Sequence, residues 1–151
     1  MRRARRALPV EQAMTSVDLL QPFEGRRFLA LETFRKNGVA VRTPVGFVRD
    51  GDSLLIRTEA DSGKVKRIRN NNHVRIAPST GRGDPLGDWV EARATILDPA
   101  ASEAARQKIV AKYGLIWRLI EWQVAIRNRL SRRKHAGWVS VRLTPVAPAH
   151  G

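Results

Sequence analysis

Asn37-Gly38 sits between two β-rich runs, Phe28-Leu-Ala-Leu-Glu-Thr-Phe34 and Val39-Ala-Val-Arg-Thr-Pro-Val-Gly-Phe-Val48. An Asn-Gly pair in that setting is the strongest short-range hairpin signal, because a two-residue turn needs positive φ at both central positions. Asp50-Gly51-Asp52 repeats the signal before Ser53-Leu-Leu-Ile-Arg-Thr58. Three antiparallel strands in succession follow. Pro44 lies inside the second run, which places that strand at an edge or at a bulge where a missing N–H does no harm.

The period then changes. In Asp61-Ser-Gly-Lys-Val-Lys-Arg-Ile-Arg69, Val65 and Ile68 stand three apart with cations on the remaining faces, the pattern of a short helix capped by Ser62 or Asp61. Asn70-Asn-Asn72 ends it, and His73-Val-Arg-Ile-Ala77 alternates as a fourth strand. A glycine-rich turn, residues 81–85, leads to a fifth strand from about Asp88 to Leu97. Asp98-Pro99 supplies an N-cap with proline at the first helical position, and Gly114 closes that helix. A second helix carries Leu115, Leu119, Trp122, Ile126 and Leu130 on one stripe, read here as a core-facing stripe. Its basic end, residues 131–135, complements the helix dipole. Gly137 to Leu143 forms the last strand. Six strands, one short helix and a helical pair fit a small closed or partly open barrel. Residues 1–22 read as a basic tail with a short helix near Met14 to Leu20, and residues 23–151 as one barrel domain.

Composition narrows the chemistry. The 151 residues include no cysteine, so disulfides, thiolate catalysis and cysteine-ligated metals are excluded. His73, His135 and His150 are too dispersed for a histidine metal site. The most apolar stretch, 115–130, is broken by charges and cannot span a bilayer, and the basic start lacks the apolar core of a signal peptide, so a cytoplasmic location is expected. The net charge of +14 invites a polyanionic partner, either nucleic acid or a phosphorylated, polyacidic small molecule. Of the 28 cations 22 are arginine, which composition bias also explains. With only four Phe, four Trp and one Tyr, mostly at core positions, a base-stacking nucleic-acid barrel is the weaker reading.

The most informative local feature is Arg57-Thr58 at a strand end, followed by Asp61-Ser62-Gly63-Lys64 opening a helix. Free N–H groups at the helix start, the Ser62 hydroxyl, close approach at Gly63 and the Lys64 ammonium are the parts of a phosphate cradle. Each also has a plain structural explanation: a cap, relief of crowding, a solvated cation. The GxxxxGK[ST] spacing of a P-loop is missing, and Gly81-x-Gly83 does not continue into a dinucleotide fingerprint.

Val41-Arg-Thr-Pro-Val-Gly-Phe47, Leu54-Leu-Ile-Arg-Thr58, residues 61–70 and His73-Val-Arg-Ile-Ala77, in that order and spacing, resemble the split β-barrel flavin and deazaflavin oxidoreductases. That group includes the pyridoxamine 5′-phosphate oxidases, and the resemblance is greatest to its coenzyme F-420-dependent branch. It implies a six-stranded FMN-binding split barrel and a homodimer with cofactor sites at the subunit interface. On that basis Lys64 anchors the cofactor phosphate, and Ser62, Gly63 and Thr58 donate around it. Arg42, Thr43 and Pro44 line the ring system, while Arg57 and Arg67 reach the phosphate or an acidic tail. Gly63 departs from the FMN oxidases, which often carry Arg beside the Lys, and so favours the deazaflavin with its polyglutamate tail over FMN. Lys66, Arg69 and Arg75 would serve that tail. The implied reaction is hydride transfer to an unsaturated organic acceptor, and the alternatives are an FMN-binding oxidoreductase of the same fold or a cofactor-binding protein without turnover. No general acid is assigned to His73 or Tyr113, and Phe47 and Trp89 are expected to wall the acceptor pocket.

Overall fold

The computed structural model describes residues 16–131 and 137–147. Most of the basic N-terminal tail, and residues 132–135 of the cationic end expected at 131–135, lie outside the described residues. The elements are α1 (Ser16–Leu20), a 3-10 turn (Gln21–Phe23), β1 (Phe28–Phe34), β2 (Ala40–Gly46), β3 (Val48–Asp50), β4 (Ser53–Glu59), α2 (Gly63–Asn70), β5 (His73–Ser79), β6 (Val90–Ile96), α3 (Pro99–Tyr113), α4 (Leu115–Ser131) and β7 (Trp138–Pro145). The strands form one antiparallel sheet in the order β2-β1-β5-β6-β7-β4-β3.

The sheet has seven strands rather than the expected six. The run Val39 to Val48, read as one strand, divides at Phe47: β2 pairs with β1 at one edge and β3 pairs with β4 at the other. Hydrophobic alternation continues through Phe47, so no sequence signal marks the change of partner. Only one residue separates the two edges, and two peptide units span at most about 7 Å. The edges are thus held close, and the sheet must curl into a half-barrel. Pro44 sits in the edge strand β2, which has a neighbour on one side only, so its missing N–H breaks no ladder bond.

The first hairpin is longer than a two-residue turn. Gly38 N–H donates to Arg35 C=O at 2.8 Å, Arg35 N–H donates to Val39 C=O at 2.9 Å, and Gly38 holds a φ of 88°. The β3–β4 turn has the expected tight form, with Asp50 opposite Ser53.

Alternation places Leu29 and Leu31 of β1, Leu54 and Ile56 of β4, Val74 and Ile76 of β5, and Val141 and Leu143 of β7 inside. Leu20, Phe23, Phe47 and Ile68 close the same core. Phe23 meets Phe47 edge-on at 5.9 Å. Helix α3 begins on the Asp98 cap, whose carboxylate accepts the Ala101 N–H at 2.9 Å. It covers the outer face of β4 and β7, where Ser140 N–H donates to Ser102 Oγ at 2.6 Å beneath buried Ala105 and Ile109.

Helix α4 overturns the expected core stripe. Leu115, Leu119, Trp122, Ile126 and Leu130 are all exposed, and the side turned inward is that of Trp117 and Val124. Trp117 packs edge-on against Trp138 at 5.8 Å. The helix is apolar on two opposite sides, so periodicity alone does not say which side is covered.

Candidate functional site

The turn between β4 and α2 places five of the candidate residues together. Thr58 is the last inward-facing residue of β4, on the same side as Leu54 and Ile56, and is buried. Ser62 caps α2: its Oγ accepts the Val65 N–H at 3.4 Å and the Thr58 hydroxyl at 3.4 Å. Asp61 is not the cap. The first helical N–H groups, those of Gly63 and Lys64, have no intrahelical partner, as at any helix start.

Arg67 folds back over this terminus. A Cβ at position 63 would lie 2.8 Å from Arg67 Nη1, so the glycine leaves the room that the guanidinium occupies. Arg67 Nε donates to the buried Thr33 Oγ1 at 2.6 Å, which fixes the fork in place. Among the described residues Lys64 makes no hydrogen bond and no ion pair. Burial pushes its ammonium below the ordinary lysine value, the charge of Arg67 adds to this, and Glu59 only partly opposes it. Burial and the charge of Arg35 lower Arg67 in the same direction. Two cations that raise each other's energy beside free N–H groups form a site whose electrostatics an anion would satisfy.

The remaining candidates separate. Thr43 pairs with Leu31 and faces inward, and its buried Oγ1 has no hydrogen-bond partner. Arg42 and Pro44 face the opposite side of the sheet. Arg42 lies 3.4 Å from Glu32 and 5.0 Å from the Trp89 ring centroid. Arg75 approaches the same two groups, at 3.3 Å and 5.0 Å, and also reaches Glu91 at 3.6 Å. Pro44 packs near Gly83, where a Cβ would sit 3.4 Å from its Cδ. Arg57 is adjacent to Thr58 in sequence and therefore points the other way. It donates to Ser140 Oγ at 3.1 Å and Ser102 C=O at 3.3 Å, with Glu121 at 3.7 Å. That set of partners holds Arg57 under α3 rather than at the turn.

Thr33 was not singled out from sequence. Its signal was a polar residue in register with inward-facing Leu29 and Leu31, a position that favours an apolar side chain unless a partner waits there. Tyr113 and Lys112 also act on the barrel: the Tyr113 hydroxyl accepts the Phe47 N–H at 2.8 Å, and Lys112 Nζ donates to Phe47 C=O at 2.7 Å. Next to them a pocket of about 200 Å³ is lined by Phe28, Gly46, Tyr113, Ile116, Trp117 and Ile120, among others.

No curated protein matches the chain. Solved structures do resemble it. A putative pyridoxamine 5′-phosphate oxidase from Listeria innocua is 15% identical with a TM-score of 0.57, covering 86% of this chain and 92% of that one. An FAD-binding protein from Mesorhizobium loti is 14% identical with a TM-score of 0.58, covering 87% of each chain. The heme storage protein HutZ from Vibrio cholerae is 18% identical with a TM-score of 0.54, covering 98% of this chain and 93% of that one. At such identities the likeness is one of fold: an antiparallel half-barrel with attached helices. The sequence pattern of the family described as pyridoxamine 5′-phosphate oxidase matches residues 18–137, which include every strand of the barrel up to β6 and the whole β4–α2 turn, and the chain belongs to that family.

Proposed function

We propose that the protein is a deazaflavin-dependent oxidoreductase: it binds the phosphate of coenzyme F-420 at the β4–α2 turn and supports hydride transfer to an unsaturated organic acceptor. The observation that carries this reading is a desolvated Lys64 with no ion pair among the described residues, close enough to Arg67 to feel its charge, with the Arg67 guanidinium folded back over Gly63 at the start of α2, where the first N–H groups are free. The cofactor supplies the hydride chemistry when bound. The residues of this chain have other tasks. Lys64 and Arg67 neutralise the phosphate, the Gly63 and Lys64 N–H groups donate to it, and Thr43, with its orphaned inward hydroxyl, offers a polar contact further along the interior.

Gly63 brings no cation of its own to the turn, but the Arg67 guanidinium takes that place, so the preference for the deazaflavin over FMN rests on the cations beyond the phosphate, which an acidic tail would meet. Arg35, Lys66 and Arg69 are exposed around the turn for that role. Arg75 is less suited, being held by Glu32 and Glu91. FMN stands as the alternative cofactor at the same turn, since the family contains flavin oxidoreductases and the Mesorhizobium loti neighbour binds FAD. The proposal includes a cytoplasmic homodimer, with the partner subunit completing the cofactor pocket.

The test is a fluorescence titration of the purified protein with coenzyme F-420, alongside FMN and a single-stranded oligonucleotide at physiological salt. Saturable F-420 binding, weakened at least tenfold in Lys64→Ala, supports the reading. Binding of FMN alone keeps the site and changes the cofactor. Binding of the oligonucleotide alone discards both. Binding of F-420 without turnover of any acceptor in a screen of unsaturated compounds leaves a cofactor-binding protein.

A further inference from the structure

Helix α4 carries two apolar faces, and the fold uses only one. At 100° per residue, Leu115, Leu119, Trp122, Ile126 and Leu130 fall within an arc of about 80°, opposite Trp117 and Val124. All five are exposed, Leu115 and Leu130 by more than three-quarters. Ile116 and Ile120 extend the patch toward the pocket that Phe28 and Tyr113 also line, and are exposed as well. Gly114, at a φ of 60°, lets the chain turn between α3 and α4 so that this face points away from the barrel. A contiguous patch of this kind marks a docking surface.

Charge selects the occupant. Arg118 and Arg129 border the stripe on one side and Arg127 on the other. Arg118 and Arg129 make no ion pair among the described residues, and Arg127 reaches only Glu59 at 3.5 Å with its side chain 69% exposed. The single carboxylate of α4, Glu121, is turned inward and held by Arg106 at 3.0 Å and Arg57 at 3.7 Å. Residues 132–134 continue the sequence as Arg-Arg-Lys, and residues 1–15 contain four arginines. A second copy laid on this face would bring like charges together with no carboxylate on either helix to meet them. The chain's own N-terminal segment carries the same sign. An anionic lipid surface meets both requirements: the apolar stripe enters the acyl boundary, Trp122 sits at the headgroup level, and the arginines extend to the phosphates.

We propose that α4 docks the protein onto anionic membrane surfaces, lying in the plane of the interface. With 17 residues it is about 25 Å long, and no described helix is long and apolar enough to cross a membrane. The mode is attachment to one leaflet. The inference does not depend on which cofactor the barrel takes, and the variants that test it leave Arg127 in place, whose partner Glu59 borders the β4–α2 turn.

Vesicle flotation of the full chain tests it, using phosphatidylcholine vesicles with and without 30% phosphatidylglycerol at two salt concentrations. The expected result is binding to the anionic vesicles only, weakened by salt, with a blue shift in tryptophan fluorescence. The double variant Leu119→Glu/Ile126→Glu, on exposed positions and checked by circular dichroism, should lower the partition coefficient at least tenfold. Arg118→Gln/Arg129→Gln should lower it several-fold. Equal flotation of the glutamate variant would overturn the proposal, leaving only the diffuse attraction of a +14 chain. Equal binding to neutral vesicles would overturn it as well. So would no vesicle binding together with an oligomer that dissociates in the glutamate variant, which would assign the face to a second copy.

Discussion

The hydroxyl of Tyr113, the last residue of α3, accepts the N–H of Phe47 at 2.8 Å and lies 2.9 Å from the Phe47 C=O and 2.5 Å from the Arg27 C=O. Phe47 is the single residue joining the two edges of the sheet, so the end of one helix holds the point where the half-barrel is tied. The neighbouring Lys112 ammonium sits 3.9 Å above the Phe47 ring and donates to its carbonyl.

Removing that hydroxyl has a defined cost. In Tyr113→Phe the Phe47 N–H loses its partner, which destabilises the fold by about 1–3 kcal/mol. Gly46→Ala acts on the same contact, since a Cβ there would stand 3.1 Å from the Tyr113 oxygen. Urea unfolding should show both losses, and the double variant should lose less than their sum because the two share one contact.

Lys64 trades stability for binding. Its ammonium is desolvated and makes no ion pair among the described residues, with Glu59 offsetting burial and the charge of Arg67 only in part, so Lys64→Met should leave the melting temperature unchanged or raise it. The same substitution should weaken phosphate-bearing ligands by about 10- to 100-fold, as expected for loss of a charge-assisted hydrogen bond of about 1.5–3 kcal/mol. Thermal melts with and without ligand separate the two effects, and a large fall in the ligand-free melting temperature would count against the site.

Gly63→Ala tests the space under Arg67. Alanine favours the helix, and the clash is with the end of a flexible side chain, so the fold should survive. Displacement of the guanidinium should cost several-fold in phosphate affinity. Calorimetric titration with ligand, compared with Arg67→Ala, should give losses in the same direction.

Arg57 should behave as a structural residue. Its side chain is only 10% exposed and bridges α3, α4 and β7. Arg57→Met is expected to lower stability by about 1–3 kcal/mol by leaving buried acceptors unpaired, with ligand affinity changed less than twofold. A binding loss matching that of Lys64→Met would return Arg57 to the cofactor site.

Acid should loosen the α3–α4 contact through Glu121. Burial raises its carboxyl, but the hydrogen bonds from Arg106 and the charges of Arg106 and Arg57 outweigh this and hold it below the ordinary glutamate value. A folded value below the unfolded one means that the unfolded chain takes up the proton first as pH falls. The stabilisation is therefore complete above the ordinary glutamate range and is lost as pH drops toward the folded value. Glu121→Gln should lower stability at pH 7 and flatten the acid limb of the stability profile.

Much of the local structure was legible in the sequence, because its signals act within a few residues. Ser62 and Asp98 cap the N–H three positions ahead, Gly51 turns a tight hairpin, and Val65 and Ile68 orient a helix by spacing alone. The order of these signals also sufficed to point at the β4–α2 turn. What they could not decide depends on partners distant in the chain. Alternation says that Arg57 and Thr58 face opposite ways, but only the packing of α3 on β4 makes Thr58 the inner one. Alternation likewise runs unbroken through Phe47, and only the separate pairing of β2 with β1 and of β3 with β4 divides the strand there. The two apolar sides of α4 are equivalent in periodicity. Burial is a property of what lies opposite, and the fold sets Trp117 and Val124 against the barrel while leaving Leu115, Leu119, Trp122, Ile126 and Leu130 facing outward.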